Sequence, residues 1–185
     1  HMVLNALATI GVAMELGVEQ EVIRASLASF TGADRRFQKK GERKGVVVVD
    51  DYGHHPTEIA ATLRAARTGF PDRRLVVAFQ PHRYSRTQAL FDDFARGFYR
   101  CDVLLVLPIY AASERPIEGV DSRLLCDSIR AHGHKDVRYV EDMDAALEQL
   151  TGLIQPGDVV LTLGAGNVFR LGERLVARLK GEVKE

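Results

Sequence analysis

The chain has 185 residues, 25 Lys and Arg against 25 Asp and Glu, and 46% hydrophobic residues. A chain of that length buries roughly 70% of its unfolded surface, which excludes a disordered polypeptide. A formal net charge of zero supplies no field to steer a polyanion, and no apolar run approaches the ~20 residues of a membrane span, so neither nucleic acid nor a membrane is an expected partner.

His1-Met2 reads as a cloning remnant, because helix-like sequence follows it directly; the chain is expected to be an excised, cytoplasmic fragment with no secretory leader. Residues 3–16 and 19–30 place Ala, Leu and Ile at helical spacing on either side of Gly17, which predicts two short helices. From Gly32 to Lys44 the composition turns basic and the apolar pattern stops, which puts a domain boundary near residue 34. After it, aliphatic runs at 46–49, 75–79, 103–107, 137–140 and 159–163 alternate with helix-length amphipathic segments at about 56–69, 86–100, 121–132, 142–154 and 166–180. The predicted fold is α/β and Rossmann-like, with a mostly parallel sheet flanked by helices, because continuously apolar strands need cover on both faces. FQKK and GERK, before VVVVD, predict an antiparallel edge hairpin supported at its turn by Gly41 and Gly45. Cys101 and Cys126 form no C-x-x-C pair and are expected to be buried free thiols.

In open α/β sheets ligands bind beyond the carboxyl ends of the strands. The first apolar run ends in Asp50-Asp51-Tyr52-Gly53-His54-His55, and Pro56 then opens a helix at its favoured first position. The second ends in Gln80-Pro81-His82-Arg83-Tyr84-Ser85-Arg86. Ser85 with Gln88 fits an S-x-x-Q capping box, so a helix is expected to start there with N–H groups free for an anion. Arg83 and Arg86 flank that start and suit a carboxylate or phosphate, while His82 adds a group that titrates near neutrality. The loop from Tyr110 to Ile117 reads as a lid or as plain connection. The last run ends in Gly164-Ala165-Gly166-Asn167, which departs from a dinucleotide fingerprint because Phe169 stands where the third glycine belongs. No phosphate-binding G-x-x-x-x-G-K-[ST] loop occurs. His132 and His134 lack a carboxylate or thiolate in metal-ligand spacing, and no metal site is expected.

In order, DDYGHHPTEI at 50–59, QPHRYSRT at 80–87, YAASERPIEG at 110–119 and GAGN at 164–167 resemble the C-terminal domain of the Mur ligases of peptidoglycan synthesis, in the branch that adds L-alanine to UDP-N-acetylmuramate. The resemblance implies that residues 3–34 close a central ATP-binding domain and that 35–185 form the terminal domain. It implies a reaction in which ATP and Mg2+ activate the lactyl carboxylate as an acyl phosphate that the amine of L-alanine attacks. Arg83, Arg86 and His82 would then hold the alanine carboxylate, with Tyr52 and His54 lining the same pocket. His54 is also a catalytic candidate for taking the amine's proton, and Asp51 would accept hydrogen bonds from the ATP ribose. Asn5 would survive from a stretch near the adenine. With the P-loop, the Mg2+ carboxylates and the UDP-binding domain missing, the fragment is expected neither to ligate nor to bind ATP or Mg2+ tightly.

Two alternatives remain open at this point. One is the corresponding domain of a ligase that recycles murein tripeptide, whose family shares HHPT but lacks the arginine turn. The other is a noncatalytic module that uses the same turn to hold a small anion. A third reading, an independent hydrolase, is poor because no Ser or Cys nucleophile sits at a strand end with a plausible base.

Overall fold

A computed structural model describes residues 2–181; His1, half of the expected remnant, and residues 182–185 lie outside the described residues. The chain divides into two compact units that meet between Ala33 and Asp34. In the first, α1 (Met2–Glu15) and α2 (Gln20–Ser29) are separated by Gly17, whose φ of +73° reverses the chain at a conformation glycine adopts without strain. These helices pair through Ile10, Met14, Ile23 and Leu27 around an apolar gap, while Val3, Leu4, Leu7 and Val12 stay exposed and α2 buries none of its residues.

The second unit contains β1 (Gln38–Arg43), β2 (Val46–Asp51), α3 (Pro56–Gly69), β3 (Leu75–Phe79), α4 (Tyr84–Ala89), α5 (Phe91–Arg96), β4 (Val103–Val106), α6 (Ser122–Ala131), β5 (Val137–Tyr139), α7 (Met143–Leu153), β6 (Val159–Leu163) and α8 (Phe169–Lys180). Its six-stranded sheet runs β1-β2-β6-β3-β4-β5, with β1 antiparallel to β2 and every other pair parallel. This is the expected α/β architecture. The alternation of side chains along each strand separates two cores. Val47, Val49, Val77, Phe79, Leu104 and Val106 face α3, α5 and α6 through Ile59, Leu63, Phe94, Leu125 and Ile129, with Phe98 from the turn after α5. Val48, Val76, Ala78, Leu105 and Val160 face α7 and α8 through Ala146, Leu150, Leu171 and Leu175. Each such Leu, Phe or Val contributes about 1.5–3 kcal/mol on full burial, which is why the strands read as unbroken apolar runs.

From β2 the chain crosses to β3, steps outward through β4 and β5, and returns over α7 to insert β6 between β2 and β3. The carboxyl ends of β2, β6 and β3 are therefore adjacent at the point where strand order reverses, where open sheets offer a crevice.

Two local expectations are corrected. The β1–β2 turn is Lys44-Gly45, both at positive φ, whereas Gly41 lies inside β1 at a register shift, where an added Cβ would press on Val176. The single helix expected over 86–100 is instead α4 and α5, broken at Leu90, whose φ of −117° and ψ of 22° leave the helical region.

Candidate functional site

The turn after β2 is organised by Asp51. Its carboxylate, 5% exposed, accepts from the N–H of Phe37 (2.8 Å) and of Gly53 (2.8 Å) and from the Thr62 hydroxyl (3.1 Å). These bonds fold the chain back so that Tyr52 and His54 project past the strand end. A Cβ at position 53 would meet Asp51 Oδ1 at 2.8 Å, so glycine is needed there for close approach. His55 caps α3 by accepting the Thr57 N–H, and Glu58 Oε2 accepts the N–H groups of His54 (3.0 Å) and His55 (3.2 Å). Burial opposes ionisation of Glu58, yet those two N–H donors and the charges of His54 and Arg36 hold its carboxyl below the ordinary value.

His54 Nδ1 lies 3.1 Å from the Tyr52 carbonyl and 3.4 Å from Glu58 Oε2. Both neighbours are acceptors, so Nδ1 carries the proton, and in the neutral ring Nε2 is left as an acceptor. Its ring meets the Tyr52 ring edge-on at 5.3 Å and the His82 ring at 5.8 Å, and His82 stacks on Tyr110 at 5.6 Å. A row of aromatic rings thus crosses the sheet edge from the β2 turn to the loop after β4.

In the turn after β3, Arg83 has φ +72° and caps α4 two residues earlier than the S-x-x-Q pattern predicts. Its N–H donates to the Tyr110 carbonyl, and the Tyr110 N–H donates to the Pro81 carbonyl, which locks the strained residue in place. Ser85 is not the cap. Its N–H (3.0 Å) and hydroxyl (2.6 Å) both donate to Glu114, so an in-chain carboxylate takes the donors expected to await an external anion. Those two bonds hold the Glu114 carboxyl below its ordinary value. Arg86 donates from Nη1 to His82 Nδ1 (3.1 Å) and to the His82 carbonyl (3.2 Å). Since a guanidinium only donates, His82 Nδ1 is the acceptor, and the neutral ring presents Nε2–H as a donor. Burial, then the charges of Arg86, His54 and Arg83, push this imidazole below its ordinary value. Arg83 itself is exposed, and its guanidinium forms no hydrogen bond among the described residues.

The β6 loop is fixed by Gln80, which is 6% exposed: its Nε2 donates to Asn167 Oδ1 and its Oε1 accepts the Val168 N–H. Gly166 packs so closely on Gln80 and Tyr110 that a Cβ would lie 2.7 Å from Tyr110 Cγ. On the other side of this loop, Arg35 donates to Asp50, which is fully buried, and to the carbonyls of Gly164 and Gly166.

The structure therefore brings Tyr52, His54, His82 and Arg86 into one contiguous cluster, with Arg83 at its rim and Asp51 beneath it. Asn5 stands exposed on α1 in the first unit, its carbonyl accepting from the Thr9 hydroxyl. Sequence reasoning missed Arg35, Gln80 and Glu114 as organisers; a glutamine at the end of an apolar run was the one signal, since a buried amide must find partners. No group of three His, Cys, Asp or Glu among the described residues could hold a metal ion. His132 Nδ1 lies 2.8 Å from the Ser128 carbonyl, and His134 contacts Cys101 at 3.3 Å. Both cysteines are free and buried, and burial pushes the Cys126 thiol up to about 11 and that of Cys101 higher still.

A sequence profile of the family described as Mur ligase, glutamate ligase domain, matches residues 35–166. The UDP-N-acetylmuramate–L-alanine ligase of Desulfosudis oleivorans is 59% identical over 177 residues, 96% of this chain and 39% of that protein. Its namesake in Geotalea uraniireducens is 56% identical over 183 residues, 99% of this chain and 40% of that protein. The crystal structure of UDP-N-acetylmuramate–alanine ligase from Thermotoga maritima superposes with a TM-score of 0.79 at 30% identity, covering 99% of this chain and 38% of that one. A murein peptide ligase from Psychrobacter arcticus shares the fold, with a TM-score of 0.68 at 24% identity over 98% of this chain and 37% of that one. The chain spans about two fifths of the length of these curated relatives. With the profile covering well over half of its residues and the same architecture in the solved relatives, the chain belongs to the Mur ligase family, whose glutamate ligase domain it carries.

Proposed function

We propose that the chain is the amino-acid-binding part of an ATP-dependent ligase that joins L-alanine to the lactyl carboxylate of UDP-N-acetylmuramate in peptidoglycan synthesis, in the cytoplasm. The observation that carries this reading is the pairing of His82 with Arg86, with Arg83 at the rim, beside His54 in the crevice at the ends of β2 and β3. Residues 3–34 are assigned to the end of a central ATP-binding domain and 35–185 to the terminal domain; the start of the profile match at residue 35 supports that division.

The tautomers set out a division of labour. Arg83, Arg86 and the Nε2–H of His82 are donors and would grip the carboxylate of alanine, while Nε2 of His54 is an acceptor and would receive an N–H of its amine. The amino acid would be held by both ends, and fixing its amine toward an activated carboxyl is catalysis by positioning. His54 is also placed to take the amine's proton. Asp51 is already used by protein donors, and a ribose hydroxyl would bond to the lone pair left on Oδ2. The described residues hold no three-ligand metal group and the sequence no phosphate-binding loop, so ATP phosphates and Mg2+ would be held by the preceding part of a longer protein. No ligation is expected from the 185-residue chain alone.

Two observations favour alanine ligation over the alternatives. Relatives at 54–59% identity carry the alanine ligase name, and the helix start that a simple anion module would use is filled by Glu114. The test is steady-state kinetics of the ligase restored to the length of its relatives, wild type against Arg86→Ala. Loss of one charge-assisted contact to the carboxylate raises the KM for L-alanine about 10- to 100-fold with the ATP KM little changed. An unchanged alanine KM would sink the assignment.

A further inference from the structure

Arg35 plays no part in the ligation reading, yet its side chain and main chain together span the sheet edge. Nε donates to Asp50 Oδ2 (3.0 Å), Nη1 to the Gly166 carbonyl (3.2 Å) and Nη2 to the Gly164 carbonyl (2.5 Å). The guanidinium carbon lies 4.9 Å from the centre of the Tyr52 ring and 4.7 Å from that of Phe169. Its own carbonyl accepts the Tyr52 N–H at 2.7 Å. Asp50, fully buried, spends its other oxygen on the Thr162 hydroxyl of β6 at 2.6 Å. The backbone bends through positive φ at Arg35 (58°) and Phe37 (48°) to make these contacts, a conformation that persists only where the surroundings enforce it.

We propose that Arg35 is a positioning residue: it locks the Tyr52 ring and the Gly164–Gly166 loop into one rigid edge and, through Tyr52, fixes His54. The argument is geometric. A planar guanidinium presents donors in a fixed fork, so one side chain can bind a carboxylate and two loop carbonyls in its plane while its face covers an aromatic ring. A lysine ammonium keeps the charge opposite Asp50 but has no plane to stack and cannot reach all three acceptors. The groups that Arg35 touches line the crevice at the strand ends, and Tyr52 O in turn accepts from His54 Nδ1, which sets the imidazole's orientation. Only the kinetic consequence of this role rests on the ligation reading.

The decisive experiment uses the 185-residue chain and two variants, Arg35→Lys and the double variant Arg35→Gln/Asp50→Asn. The second leaves no buried charge unpaired and so guards against simple failure to fold. Amide hydrogen exchange is followed residue by residue, with the Tyr52 ring resonances as a second signal. In both variants exchange at Gly164–Val168 and Tyr52–His54 rises about tenfold or more, while Leu104–Val106 in β4 keeps its wild-type rate. Unchanged exchange at the strand ends, or an equal rise in β4, overturns the proposal. In the restored ligase, Arg35→Lys then raises the KM for L-alanine or lowers kcat by about tenfold while the ATP KM holds. A loosened edge with wild-type alanine kinetics reduces Arg35 to a structural support and overturns the positioning role. Wild-type turnover of L-alanine is the control: without it the ligation reading fails, and the exchange data alone decide the role of Arg35.

Discussion

The turn after β2 and the turn after β3 both carry site residues, but they are held in opposite ways. The first is closed mainly by residues close to it in the chain: Asp51, Thr62 and Glu58 lie within twelve residues of one another, and the buried Asp51 carboxylate binds Gly53 and Thr62 and also takes the Phe37 N–H from ahead of β1. The second is closed from a distance, by Glu114 and the Tyr110 backbone reaching back from the loop after β4. A closure built on a buried carboxylate opens only with its surroundings. One built on an exposed carboxylate and a loop can open by itself, because water replaces its hydrogen bonds. The β2 side is thus a fixed wall and the β3 side a removable one.

The comparison breaks first at Asp51. Asp51→Ala strands two N–H groups and a hydroxyl and costs about 3 kcal/mol, read as a lower urea midpoint. A loss under about 1 kcal/mol would mean that the wall is not held by this carboxylate. Next comes Gly166→Ala, whose Cβ collides with Gln80 Oε1, itself pinned between Asn167 and Val168, and with Tyr110. That overpacking costs about 2 kcal/mol and moves Tyr110 off His82, visible in the ring shifts of both residues.

Glu114→Gln leaves global stability alone and speeds amide exchange at Ser85 and across residues 111–119. The same contact has a pH signature. Because the folded carboxyl of Glu114 lies below its ordinary 4.5, its contribution is complete above that value and is lost as pH falls through the lower folded one. Ser85 protection is therefore flat from neutrality down to the ordinary 4.5 and is lost only as pH falls below that through the lower folded value. Protection that fades nearer neutrality would contradict the latch.

The smallest effect belongs to His82. Burial and the neighbouring cations disfavour its charged form in the fold, so stability is complete above the ordinary 6.5 and declines as pH falls from there towards the lower folded value. Titration by NMR gives a midpoint below 6.5, and Arg86→Ala moves it back up by removing one of the two leading causes. A midpoint at or above 6.5 would remove the neutral, donating imidazole from the site.

The same contrast explains what could be read from the residues alone. β3 and β6 are legible to the residue because a strand covered on both faces must be continuously apolar, and α3 is legible because Pro56 can only start it. Tyr52, His54, His82 and Arg86 are legible as a group because strand ends are where such sheets bind ligands. The break at Leu90 carries no Gly or Pro to announce it. S-x-x-Q pointed to a local cap, whereas the partner of Ser85 lies 29 residues away, beyond any spacing rule. Arg35 looked like one member of a basic run because its partners come from β2 and β6, which become neighbours only when the chain returns over α7 to insert its last strand.

The outer strands of the sheet decide how one molecule meets another. β1 carries Lys39, Lys40, Glu42 and Arg43 on a ribbon broken in register between Lys39 and Gly41, and β5 is three residues long, with Arg138 paired to Asp136. Neither edge presents a flat row of free backbone groups on which a foreign strand could grow. Both margins of the second unit therefore resist the strand-by-strand polymerisation to which open sheets are prone, and concentrating the protein is not expected to seed fibres from either side.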